Sequence, residues 1–150
     1  MNKFRMQQAA LGLALACALG LAQAQTRTPA TPDDSLFRAL GGLPVIERVV
    51  QDFMDNMLAD ARIRHTFDNS NVKRVREKLV EQFCQLSGGG CIYTGDPMRE
   101  VHQGLKLSNA DFNALVEDLQ LAMDKNGIPS RTQNRLLALL APMQRETVSR

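Results

Sequence analysis

The sequence predicts an all-α domain, and three observations predict it. No stretch alternates apolar and polar residues at a period of two for long enough to make a sheet. Apolar residues recur instead at helical spacing along most of the chain after residue 34. Glycine and proline then cut that pattern into several short helices.

In chain order, the first 24 residues stand apart. Lys3 and Arg5 form a short basic head, an uncharged apolar run follows from Ala9 to Ala22, and Ala22-Gln23-Ala24 offers a small-residue cleavage pattern. This is the layout of a secretory signal peptide, too short in its apolar part to span a bilayer as a helix. A lipoprotein signal built on Cys17 fits less well, because no large aliphatic residue stands three positions before that cysteine. The product expected is exported, to a periplasm in a bacterium, with no membrane span after cleavage. Residues 25–34, with Pro29 and Pro32, read as a flexible leader.

Ser35 to Leu40 reads as a short helix ended by Gly41 and Gly42. Pro44 suits the first turn of the next helix, whose inward face is Val45, Ile46, Val49, Val50, Phe53, Met54, Met57 and Leu58. A polar connection follows with Phe67 as its large apolar residue. Asn69, Ser70 and Asn71 then offer caps for a helix from Val72 to Leu86, with Val75, Leu79, Phe83 and Leu86 on one side. Gly88, Gly89 and Gly90 stop it, Cys91 to Gly95 is irregular, and Pro97 to Gln103 forms a short helix. Ser108 and Asp111 make a capping box for a helix carrying Phe112, Leu115, Val116, Leu119 and Met123, closed by Gly127. A last helix starts near Ser130, buries Leu136, Leu137, Leu140 and Met143, and is kinked by Pro142.

Composition narrows the function classes. The chain holds 18 Lys plus Arg against 16 Asp plus Glu, and Lys3 with Arg5 accounts for the excess. Residues 25–150 are therefore neutral overall, which argues against a nucleic-acid partner, since phosphate binding needs clustered uncompensated cations. With 44% hydrophobic residues the body can bury a core. Three Cys and two His leave a small cast for chemistry.

His102 is the candidate with the sharpest setting. It lies on a short helix after a glycine-rich loop, facing a core poor in polar groups. No His or Cys cluster has tetrahedral zinc spacing, and no C-x-x-C-H attaches haem covalently. A satisfied core or surface histidine is the plain alternative. A single neutral imidazole in an apolar pocket suits axial ligation of haem iron.

At these residues the chain resembles a family. Gly41-Gly42, Phe53 with Leu58-Ala59-Asp60, and Phe67 in the next corner are similar to the truncated, two-over-two haemoglobins of group I. So are Gly88-Gly89, Tyr93-Thr94-Gly95, Met98, and His102-Gln103-Gly104 before Ser108 and Phe112. The likeness runs from Leu36 to Val148 and implies a two-over-two globin domain over residues 35–150. It implies haem b, with His102 as the proximal iron ligand, Phe67 stacked on the porphyrin, and Phe83 lining a distal tunnel. Lys78 is implied as a propionate contact, with a solvated lysine as the alternative; Tyr93 and Arg99 are candidates of the same kind. His65 reads as a surface side chain.

The chain also departs from that family. Many members carry a Tyr where Met54 stands and a Gln where Leu79 stands, and Val75 is apolar as well. O₂ on ferrous haem becomes a strong hydrogen-bond acceptor, and a donor to a partly charged group contributes roughly 1.5–3 kcal/mol. Without those donors O₂ is held weakly, NO and CO are favoured, and O₂-dependent NO detoxification is disfavoured. Gln82 could swing in as a donor. Met54 could instead ligate iron opposite His102, making an electron-transfer haem protein with a redox partner, although Met is also a common gap-filler. Peroxide cleavage wants a distal acid–base group that is missing. A haem carrier without gas chemistry is the remaining alternative. Cys84 and Cys91 flank the glycine loop, and in an oxidising compartment they are expected to bridge, with two free thiols as the alternative.

Overall fold

Gly41 turns the chain between the first two helices: its φ is +93°, and a Cβ there would lie 2.5 Å from a methyl of Val45. The computed structural model describes residues 33–149, so the expected export signal and most of the expected leader lie outside the described residues. Helix α1 is Ser35–Ala39, α2 is Leu43–Ala59, α3 is Val72–Leu86 and α4 is Met98–Val101. Helix α5 is Asn109–Lys125, α6 is Ser130–Leu140 and α7 is Gln144–Thr147. Among the described residues there is no strand.

Local chemistry sets these boundaries. Asn71 caps α3 by accepting from the Arg74 amide, and Ser108 and Asp111 form the reciprocal capping box that starts α5. The α5 helix ends in a left-handed Gly127, with the Ile128 amide reaching back to the Met123 carbonyl. Pro142 does more than kink the last helix. It lacks the amide that would continue the ladder, so α6 stops at Leu140 and a 3-10 turn, Ala141–Met143, precedes α7.

The α2 helix packs on both α3 and α5, and α6 packs on α5 and α1, giving two helix pairs one over the other. The Phe53 and Phe83 rings stack with centroids 6.4 Å apart and tie α2 to α3, a pairing worth about 0.5–1.5 kcal/mol beyond its area. The Asn56 amide donates to the Asp118 carbonyl, and Lys125 pairs with Asp52 at 2.6 Å, fastening α2 to α5. Some side chains differ from expectation. Leu58 is 38% exposed, because the cover over Met54 does not extend to the last turn of α2. Ile63 joins Phe67 as an apolar anchor of the corner and is buried, drawn inward by the 3-10 turn Arg64–Phe67. Leu137, Leu140 and Met143, expected in the core, are half-buried because they line a cavity.

Candidate functional site

The short α4 helix places His102 at its C-terminal end, and the geometry there fixes the ring. His102 Nδ1 lies 2.7 Å from the Met98 carbonyl oxygen. A carbonyl only accepts, so Nδ1 donates and the neutral ring keeps its lone pair on Nε2. His102 lines a cavity with two chambers, of about 290 and 260 Å³, which share nine lining residues including Phe67, Val75, Leu79 and Gln82.

Helical spacing explains the walls. Val75, Leu79 and Gln82 lie at i, i+4 and i+7 on α3 and so share one face. Phe112 and Leu115 of α5 line both chambers as well, and Phe53, Met57, Phe83 and Leu119 close the inner one. The outer chamber opens past Arg74, Lys78, Tyr93 and Asp96. Of the residues singled out in the sequence, His102, Phe67, Phe83, Leu79, Val75, Lys78 and Tyr93 all line this cavity. Met54 does not. It is 2% exposed in the core, while its neighbours Phe53 and Met57 face the inner chamber. Arg99 is not among the lining residues, and His65 is exposed.

Residues 91–98 hang from α3 like a strap, and this joins the cavity's two sides. Cys84 and Cys91 are bridged, with Cα atoms 5.6 Å apart. Lys78 Nζ donates to Glu81 at 2.8 Å and to the Thr94 hydroxyl at 2.6 Å, while Glu81 accepts from the Thr94 amide and hydroxyl at 2.9 Å. Hydrogen bonding from Lys78, and then from the Thr94 amide, pulls the Glu81 carboxyl down to about 2. Tyr93 donates its hydroxyl to the Asp96 carbonyl, and burial pushes its phenol up. Gln82 and Met98 meet across the cavity, the amide 3.6 Å from the thioether sulfur.

The donor set points to one kind of ligand. Among the described residues no three His, Cys, Asp or Glu side chains converge as a metal cage requires, and His102 is the one imidazole in the lining of a mainly apolar slot. Such a slot fits a flat apolar macrocycle carrying its own metal.

Comparison with known proteins agrees. A family model described as bacterial-like globin matches residues 35–149. A group 1 truncated haemoglobin of Mycolicibacterium paratuberculosis is 35% identical over 112 residues, covering 75% of this chain and 82% of that protein. The chain belongs to the group 1 truncated haemoglobins. A second member of these truncated haemoglobins, from Tetrahymena thermophila, is 32% identical over 94 residues, covering 63% of this chain and 78% of that protein. The crystal structure of the ferric truncated haemoglobin of Tetrahymena pyriformis superposes with a TM-score of 0.74 at 25% identity, covering 77% of this chain and 98% of that one. A Synechococcus 2/2 haemoglobin, solved in the cyanomet state with covalently attached heme, superposes at 0.71 and 22% identity, a likeness of fold alone. Membership of this truncated haemoglobin family implies haem-based gas binding.

Sequence reasoning missed several parts of the site. Phe112 and Leu115 were readable as an apolar helix face, but periodicity does not distinguish a face against core from one against a cavity. Met98 entered only through the family pattern and Met143 only as a core position, while Arg74 and Thr147 gave no signal of their own.

Proposed function

We propose that this truncated haemoglobin is an exported protein that holds haem b through His102 and binds a diatomic gas on the opposite side. The observation that carries the reading is the His102 Nδ1 bond to the Met98 carbonyl, which leaves Nε2 as the lone-pair nitrogen of a side chain that lines the cavity. When bound, the haem would supply an iron centre able to take up a gas. Phe67, Phe112 and Leu115 would give the macrocycle apolar walls, whose burial supplies much of the affinity. Arg74, Lys78 and Tyr93 would face its acidic edge at the mouth of the outer chamber. Export is supported by the basic head, apolar run and cleavage pattern of residues 1–24.

On the side of α3 nearest the start of the helix, Val75 and Leu79 bring no hydrogen-bond donor. NO and CO lean little on such a donor, so the cavity suits them, and retention of O₂ depends on whatever other donor the cavity offers. The test is a haem titration of the purified protein alongside His102→Gly. The wild type is expected to develop a sharp Soret band. The variant is expected to lose its five-coordinate ferrous spectrum and to recover it with imidazole in solution. A variant spectrum superimposable on the wild type would overturn the assignment.

A further inference from the structure

The inner chamber has three polar side chains in its lining, Gln82, His102 and Thr147. Two are committed within their own helices or turns. His102 gives its Nδ1 proton to the Met98 carbonyl, and Thr147 gives its hydroxyl proton to the Met143 carbonyl at 2.9 Å. Gln82 differs. It is 8% exposed, and its Nε2 has two partners, the thioether sulfurs of Met98 and Met143, each 3.6 Å away. A thioether is a weak acceptor. An amide placed against two sulfurs is a buried donor whose protons are only loosely engaged, and a small oxygen or nitrogen with partial negative charge competes well for them.

Its position adds to this. Gln82 lies three residues after Leu79 and seven after Val75, on the α3 face that looks into the cavity. It lines both chambers, as His102 does. We infer that the Gln82 amide is the specificity-determining donor to a gas held in this cavity, turning from the two thioethers to the polar end of the ligand. This rests on the haem-binding reading above and sharpens it. The apolar Val75 and Leu79 then leave one donor in place, and O₂ is retained better than those two side chains alone would allow.

The experiment uses Gln82→Met, which keeps length and volume but removes the donor, with Gln82→Leu as a second variant. Two readouts are the C–O stretching frequency of the CO-saturated ferrous protein and the O₂ dissociation rate. Loss of the donor is expected to raise the stretching frequency and to speed O₂ release by about tenfold. Normal haem uptake with frequency and rate unmoved in either variant would overturn the inference while leaving the haem reading intact. A wild-type frequency equal to that of a haem–imidazole–CO complex in apolar solvent would overturn it without any variant. Failure of the wild type to take up haem removes the parent reading and this one together. A role confined to closing the cavity would lower the melting temperature of Gln82→Met and leave the frequency where it was.

Discussion

At the scale of single residues, Asp118 is the side chain whose placement costs the fold something. It is 4% exposed on α5, and its Oδ2 has no hydrogen-bond partner. Burial raises its pKa, the Asp60 carboxylate raises it further, and Arg62 acts in the opposite direction. The sign follows from linkage. An acid whose folded pKa lies above its unfolded value binds its proton more tightly in the native state, so stability falls as pH rises from the unfolded value of about 3.9 through the folded one. Above that window the penalty is complete. Asp118→Asn removes the charge and keeps the shape, and the backbone bond from Asn56 does not depend on the carboxyl. The variant should melt higher than the wild type at pH 7, with the difference gone by about pH 3, where both states hold the proton. Thermal unfolding at the two pH values checks it. Equal melting temperatures at pH 7 would show that the carboxyl has found a partner.

At the scale of the helix, α2 shows what the residues announced and what they did not. Its apolar positions run round more than one face. Phe53 and Met57 meet the inner chamber, whereas Met54 sits about 100° round the axis, as consecutive helix residues must, and packs in the core. Hydrophobic periodicity identified most of the buried positions, Leu58 excepted, but not which of them borders empty space. The same limit hid Phe112 and Leu115, while the caps of α3 and α5 were readable because each depends on one or two side chains at fixed offsets. His102 was readable as a cavity residue because the sequence around it is so poor in other imidazoles and thiols. Its bond to Met98 was not, since that requires knowing where α4 starts. Met54 as an iron ligand is therefore open to a direct check. Met54→Leu, a volume-conserving change, should leave the ferric and ferrous absorption spectra unaltered and cost less than about 1.5 kcal/mol of stability. Loss of a six-coordinate spectrum in that variant would restore the electron-transfer reading.

At the scale of the whole molecule, the fold must hold two halves of a cavity together across a loop of three glycines. Gly88 can make that loop because its φ is +90° and a Cβ there would fall 2.1 Å from the Asp33 carbonyl oxygen. Such a turn is sterically exacting yet rich in unfolded-state freedom, so the Cys84–Cys91 bridge is well placed to limit that freedom. The two cysteines are seven positions apart. On the chain-entropy account, closing a loop of that length stabilises the fold by about 2–3 kcal/mol. This is a large share of the roughly 5–15 kcal/mol typical of a domain. The bridge also anchors the strap that carries the chain from α3 to α4, alongside the Lys78, Glu81 and Thr94 bonds. Replacing both cysteines with serine should therefore act twice. The urea midpoint should fall by an amount corresponding to about 2–3 kcal/mol. Haem, once bound, should pass faster to an apomyoglobin acceptor, because the strap leading to α4 and His102 then loses its covalent tie to α3. A lower midpoint with unchanged haem transfer would mean that the bridge stabilises the fold without guarding the site, and the strap would be no more than a connection.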